Sequence, residues 1–282
     1  MRNANVYGIR PERSFRQAAT KFLLDVQHKR SVGRYAQSLK ALDLIIGDLP
    51  LHQVHQGTLD KFIQHRRKQG MKANTINRDL AVVRRILNLA ARLWRDEHGL
   101  TWLQTAPLLQ MLEVDDARKP YPLSWEEQAQ LFERLPEHLR EMVLFKVNTG
   151  TREQEVTCLQ WDWEVSIPEL KTSVFIIPGE GVKNGEDRLV VMNAEARAVI
   201  NRQRGKHSEY VFTYSNGKPV DRINTKAWRR AREEIGIPQV RVHDLKHTFG
   251  RRLRAEGVSH ETRQVLLGHK NGQITTHYSA AE

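Results

Sequence analysis

Three stretches of this sequence place ionisable side chains where packing would favour apolar ones. The first is Thr149-Gly150-Thr151-Arg152-Glu153-Gln154-Glu155-Val156. Gly150 and Thr151 predict a turn, and Arg152 then falls in the first turn of a helix, where a cation opposes the helix dipole; stability is not its obvious purpose. Glu155, three residues on, shares its face and is placed to hold or orient it. The second is Val242-His243-Asp244-Leu245-Lys246-His247-Thr248-Phe249. Steps of three and four put His243, Lys246 and His247 on one face of a helix. Two imidazoles invite a metal, but the ammonium group repels a cation and the HExxH pattern is absent, so an anion among them fits better. The third is Leu266-Leu267-Gly268-His269, followed by Tyr278 in Thr275-Thr276-His277-Tyr278-Ser279. A lone Tyr late in a chain is ordinarily a partly buried aromatic; the two cationic clusters before it are what give it weight.

Something must bring these stretches together, and the rest of the chain is long enough to do it. At 282 residues, with 39% hydrophobic and 28% charged side chains, two globular domains are expected. Lys and Arg number 45 against 33 Asp and Glu, a net +12 that points to a polyanionic partner. Residues 1–119 hold 21 basic and 11 acidic side chains, whereas residues 120–282 hold 24 and 22. The first part therefore reads as an electrostatic clamp, and the basic residues of the second as placed singly for a task. From Asn74 as N-cap to Trp94, the residues Ile76, Leu80, Val83, Leu87 and Ala90 mark a long amphipathic helix. A second helix starts near Ser31, carries Tyr35, Leu39, Leu42 and Ile46 on one stripe, and ends at Gly47. Shorter helices around 15–26 and 58–68 complete a four-helix unit over residues 10–112. Its exposed cations Arg34, Lys72, Arg78, Arg84 and Arg85 are the expected DNA contacts rather than an idle solvated face. Residues 113–123, with clustered charges and then Pro120 and Pro122, read as a linker. Ser124-Trp125-Glu126-Glu127 is a capping box that opens the second domain, 124–282. There helices are expected at 124–135, 138–148, from near 151, and at 194–204, 223–235, 243–256 and 259–267. Strands are expected at 161–166, 173–177 and 188–192, forming a small sheet. The single Cys158 excludes an intrachain disulfide and a cysteine zinc site, suits a reducing compartment, and is expected in the core between Val156 and Leu159. No run of eighteen apolar residues and no signal-peptide core occurs, so a cytoplasmic protein without a membrane partner is expected.

TGTREQEVTCLQW at 149–161, HDLKHTFGRRL at 243–253 and LLGHKNGQITTHY at 266–278 resemble the three ordered signature boxes of the tyrosine recombinases, the family of phage integrases and chromosome-dimer-resolving enzymes. The resemblance spans roughly 120–280, and the helical unit before it resembles the family's core-binding domain. It implies a mainly α chain: an N-terminal four-helix, SAM-like core-binding domain, then an α+β catalytic domain with a small antiparallel sheet. It assigns Arg152 as the first catalytic arginine, Glu155 as its acidic support, Lys183 as a hairpin general acid toward the leaving 5′ oxygen, and His243, Lys246 and His269 as phosphate-binding positions. His247 would be a supporting residue and Tyr278 the nucleophile. Expected partners are a double-stranded DNA recombination site, a homo-tetramer formed on DNA by a chain that is monomeric or weakly associated without it, and accessory DNA-bending proteins. A nucleoid-associated cytoplasmic location follows. No cofactor or metal is expected.

The chemistry of such a set is coherent. Attack on a phosphodiester builds negative charge on the non-bridging oxygens, which preorganised cations stabilise without a metal. A Tyr hydroxyl, with an ordinary pKa of ~10, becomes nucleophilic beside positive charge or a proton-accepting His. The phosphotyrosyl ester conserves the bond energy, so rejoining needs no ATP, and no Walker P-loop is present. One departure stands out: Lys246 occupies the position where the family usually has Arg. A point charge there replaces a planar fork that grips two oxygens, and tolerance of the exchange is expected because every other position is filled. The sequence ends four residues after Tyr278, where the family commonly carries an assembly tail, and about ten residues precede the first helix, so an arm-site DNA-binding domain is not expected within it. Two alternatives stand beside the recombinase reading: a type IB topoisomerase-like enzyme, which would use similar chemistry, and a DNA-binding regulator that retains the fold but has lost catalysis. A metal nuclease is disfavoured because the acidic residues near the His cluster do not form a ligand set.

Overall fold

The computed structural model describes residues 10–115, 117–181 and 185–268. They fall into two compact units, the first reaching Arg118 and the second beginning at Lys119. The first consists of α1 (Phe15–Asp25), α2 (Val32–Ile46), α3 (Gln56–Lys68) and α4 (Ala73–Arg92). Ser14 caps α1 in a capping box: its hydroxyl accepts from Gln17 N–H at 3.3 Å while the Gln17 side chain accepts from Ser14 N–H at 3.0 Å. The predicted stripes face inward. Leu39, Leu42 and Ile46 of α2 and Ile76, Leu80, Val83, Leu87 and Ala90 of α4 close one core with Phe15 and Phe22 of α1 and Phe62 of α3. Asp79 is the polar exception inside it, accepting from Ser38 Oγ at 2.6 Å and pairing with Arg66 at 3.3 Å, so its burial is compensated from α2 and α3.

Two local expectations shift. The N-cap of α4 is Lys72 rather than Asn74, which lies inside the first turn. Gly47 ends α2 without the left-handed conformation that usually makes glycine a terminator, since its φ is −55°. Its missing side chain instead leaves room for Arg16, whose Nη2 would stand 2.8 Å from a Cβ and whose guanidinium bonds Asp43 and Asp48.

The second unit begins with α5 (Trp125–Arg134), where Ser124 and Glu127 form the predicted capping box, and α6 (Glu137–Thr149). A short α7 (Glu153–Thr157) leads to three antiparallel strands, β1 (Glu164–Ile167), β2 (Thr172–Ile177) and β3 (Arg188–Val190), in the order β1-β2-β3. Phe175 is the register point, opposite Glu164 on one side and Val190 on the other. The expected strand start at 161 is instead a 3-10 turn, Trp161–Trp163. Then follow α8 (Ala194–Gln203), α9 (Lys226–Glu234), α10 (Asp244–Ala255) and α11 (His260–Leu267). The core centres on α6, whose Leu139, Met142, Val143 and Phe145 are fully buried against Phe175, Val199 and Trp228. Cys158 is exposed, not buried. It caps the C-terminus of the five-residue α7, and that turn sends Val156 and Leu159 inward and the thiol out. No helix among the described residues is long and apolar enough to cross a membrane.

Candidate active site

The turn between α6 and α7 is built on Gly150, which caps α6 in the left-handed conformation, φ 64°. A Cβ there would stand 2.5 Å from Phe249 Cδ1 of α10 and 3.1 Å from Leu267 Cδ2 of α11. One glycine therefore lets the described parts of all three sequence clusters close on one another. Arg152 lies one position earlier than expected, as the N-cap of α7. Glu155 takes over the capping: its carboxylate accepts from the Arg152 backbone N–H and from Arg152 Nη1, both at 2.7 Å. The guanidinium is thereby held in a fixed plane, and its free edge donates from Nη2 to the carbonyl of Gly268 at 3.1 Å.

Lys246, on the inner side of α10 and 4% exposed, donates to the carbonyl of Leu267. Arg188, the first residue of β3 and 3% exposed, donates from Nη1 to Val265 O at 2.8 Å and from Nη2 to Leu266 O, and its Nε lies 3.7 Å from Glu155. Cations from three separate elements thus meet the last four carbonyls of α11 and its cap. Those carbonyls form the negative end of the helix dipole, and Val265 O also accepts from the Gly268 N–H at 2.9 Å. A further cation, Lys146, is wholly buried in the last turn of α6 and donates to Thr151 O.

Glu155 is a buried carboxylate set among these cations. Burial pushes its pKa up, but the two hydrogen bonds from Arg152 and the fields of Arg188 and Arg152 outweigh this, holding it below the usual carboxylate range. The cations carry the opposite strain. Burial, reinforced by Arg152 and Arg188, brings Lys246 down to about 7. Burial brings Lys146 to about 8 against the attraction of Glu155. His243, at the N-cap of α10, falls to about 4 through desolvation and the neighbouring His247, Lys146 and Lys246, so its imidazole is neutral at pH 7. The His243 and His247 rings meet edge to face with centroids 4.9 Å apart.

His243, Lys246 and His247 open onto a cleft of about 600 Å³ between α10 and α11. Arg251, Arg254 and Arg263 line it with His260, and among the described residues no carboxylate does. The segment leading to α5 is fastened at its edge, with Tyr121 N–H donating to Asp244 at 3.2 Å and Leu123 N–H to Thr248 Oγ1 at 3.0 Å. A cation-rich recess of this kind is suited to a phosphodiester.

Arg152, Glu155 and Lys246 are therefore brought together, with His243 and His247 at the same cleft. Lys183, His269 and Tyr278 lie outside the described residues. In the first unit Arg34, Lys72, Arg78, Arg84 and Arg85 are all exposed. Arg85, however, also leans over the Phe22 ring, 5.8 Å from its centroid. Sequence reasoning missed Lys146 and Arg188. Lys146 was findable, because it repeats at helical spacing with buried Met142 and Thr149. Arg188 was not, because Arg188-Leu189-Val190-Val191-Met192 offers apolar residues on both faces of a strand.

Comparison with known proteins agrees with this fold. The chain is 27% identical over 213 residues to the integrase of Salmonella phage P22, covering 71% of this chain and 52% of that protein. It is 27% identical over 244 residues to the tyrosine recombinase XerA of Thermococcus kodakarensis, covering 83% and 78%. The chain thus spans about half the length of the phage relative. Among solved structures, a lambda integrase dimer bound to a COC′ core site matches with a TM-score of 0.72 at 15% identity, over 99% of this chain and 79% of that one. The Tn1549 transposon integrase in complex with transposon right end DNA matches with a TM-score of 0.69 at 15% identity, over 96% of each. A phage integrase N-terminal SAM-like domain model matches residues 21–92. The phage integrase family model matches residues 123–282, the whole stretch that carries the three clusters, and the chain belongs to that family.

Proposed function

We propose that the chain is a site-specific DNA recombinase that cleaves and rejoins strands through a 3′-phosphotyrosyl link to Tyr278. The observation that carries this is the meeting of Arg152 and Lys246, from distant parts of the chain, on adjacent carbonyl oxygens beside the basic cleft. Oxygen atoms held there by two cations are stand-ins for the non-bridging oxygens of a scissile phosphate.

In this mechanism Glu155 locks the Arg152 fork, Arg152 grips one phosphate oxygen, and Lys246 supplies a point charge to the other. His243 is neutral at pH 7 in the free protein and is suited to exchange a proton near the phosphate rather than to add a further fixed charge. Tyr278 attacks phosphorus, its phenolic proton passes to a base, and the 5′ oxygen departs with a proton from Lys183. The reverse steps rejoin a new 5′ end. His269 adds a donor to the phosphate, and His247 braces His243. The basic first unit holds the duplex through Arg34, Lys72, Arg78, Arg84 and Arg85. Four protomers act on paired sites in the cytoplasm, at the nucleoid, with DNA-bending proteins assisting. A tetramer on a Holliday junction is known for lambda integrase, a structural neighbour of this chain.

The test is covalent capture: the protein is mixed with a pool of nicked duplexes of random sequence, denatured in detergent, and the attached DNA is sequenced. A protein–DNA adduct enriched in one sequence and lost in Tyr278→Phe is expected. Sequence-selective binding with no adduct would instead establish a non-cleaving regulator, the second reading, which Lys246 in place of Arg favours.

A further inference from the structure

We infer that Arg188 is a positioning residue of this site, a buried strut that sets the end of α11 against Glu155 and so fixes where Arg152 and Lys246 can hold phosphate; this rests on the recombinase reading. The strand itself carries the first sign. In β3 the side chains alternate so that Arg188 and Val190 point inward, 3% and 1% exposed, while Leu189 between them is 42% exposed. Placing a guanidinium in and a leucine out inverts the usual sorting and costs free energy unless the charge is specifically bonded.

The bonding is specific. Both terminal nitrogens are committed to the successive carbonyls of Val265 and Leu266, and Nε, which has no hydrogen-bond partner, faces Glu155 at 3.7 Å. With its donors aimed at protein groups and its surface buried, Arg188 does not reach DNA. A planar fork meets two adjacent carbonyls and a carboxylate at once, which a lysine cannot do.

Gly268 completes the fit. It is left-handed, φ 58°, and a Cβ there would stand 2.7 Å from both Cδ and Nε of Arg188, so the guanidinium stem lies flat against bare backbone. The same Gly268 carbonyl accepts from Arg152, and the preceding Leu267 carbonyl accepts from Lys246. Arg188 therefore anchors the two residues just before the pair that the phosphate-gripping cations touch. It ties the strand that begins five residues after Lys183 to the helix that ends two residues before His269.

The experiment uses the full chain as Arg188→Met, Arg188→Lys and Gly268→Ala, the last disturbing the strut without removing its charge. Hydrogen exchange of the DNA-free protein is expected to quicken in peptides covering 260–268 and to stay unchanged over 76–90. Adduct formation at saturating DNA is expected to slow about 100-fold in Arg188→Met, as for misplacement of a reacting group by about an ångström. DNA affinity should stay within about threefold, and Arg188→Lys should recover part of the rate. A merely structural arginine would lower stability and affinity together without this split. Unchanged exchange over 260–268 in folded variants, with adduct rates equal to wild type, would overturn the inference. Should wild type itself form no Tyr278-dependent adduct, the recombinase reading falls and the exchange measurement alone decides the strut. If Arg188→Met does not fold, Gly268→Ala and Arg188→Lys decide it.

Discussion

Lys246 concentrates the chemistry that distinguishes this site. Its pKa of about 7 in the free protein is set by burial beside Arg152 and Arg188, and a bound phosphate would raise it again. Below pH 7 the ammonium is present with or without DNA, so binding is indifferent to pH. Above it, binding must first take up a proton. Single-turnover cleavage at subsaturating DNA is therefore expected to fall between about pH 7 and 9, by up to about tenfold per unit. Lys246→Arg, charged throughout this range, should flatten the profile, and Lys246→Ala should lose most cleavage; an equally steep decline in Lys246→Arg would remove Lys246 as the titrating group. Glu155 works with the opposite sign. Its lowered pKa contributes stability that is present above the ordinary carboxylate value and is lost as pH falls through the folded one. Glu155→Gln leaves Arg152, Arg188, Lys146 and Lys246 without their shared anion, and urea denaturation should show a loss of about 3 to 5 kcal/mol.

The elements owe their arrangement to a few positions where ordinary side chains do not fit. Gly150 is both left-handed and pressed against Phe249 and Leu267, so Gly150→Ala combines backbone strain of about 1 to 2 kcal/mol with overpacking of about 1 to 3. Gly257, also left-handed at φ 74° but with open space around it, should cost only the strain on the same substitution. Denaturation midpoints of the two variants separate packing from conformation. If they shift equally, Gly150 is a turn residue and not the point where α6, α10 and α11 close. The element boundaries were largely legible, because caps and apolar periodicity are local: the Ser124 box and the stripe of α4 stand where the residues predict them. Arg152 slid from the first turn to the N-cap because Glu155, three residues on, supplies the capping acceptor, the same spacing as Ser124 and Glu127.

Across the whole molecule the charge is divided as the sequence indicates, with a +10 excess before residue 120 and near balance after it. Each unit has its own hydrophobic core. If the first unit is the duplex clamp, log affinity should fall linearly with log salt, with a slope near −0.9 per phosphate contacted. Replacing Arg78 and Arg84 together by Gln should shallow that slope by about two contacts while leaving the rate of adduct formation at saturating DNA unchanged. A slope unmoved by the double substitution would assign those arginines to the solvent.

Composition, periodicity and the three clusters were enough to indicate a two-part chain with many helices, a small sheet, and Arg152, Glu155, His243 and Lys246 as the residues to watch, because helix caps, amphipathic stripes and motif spacing are properties of neighbouring residues; the mainly helical class and the antiparallel arrangement came from the family resemblance of the clusters. Arg188 and Lys146 became visible only once the chain was folded. Whether a strand residue points in or out depends on which face the rest of the protein covers. The pKa values of Lys246 and His243 likewise depend on charges supplied by other helices and strands. Cys158 shows the same limit from the other side: two buried neighbours in sequence suggested a buried thiol, and one short helical turn faced it outward.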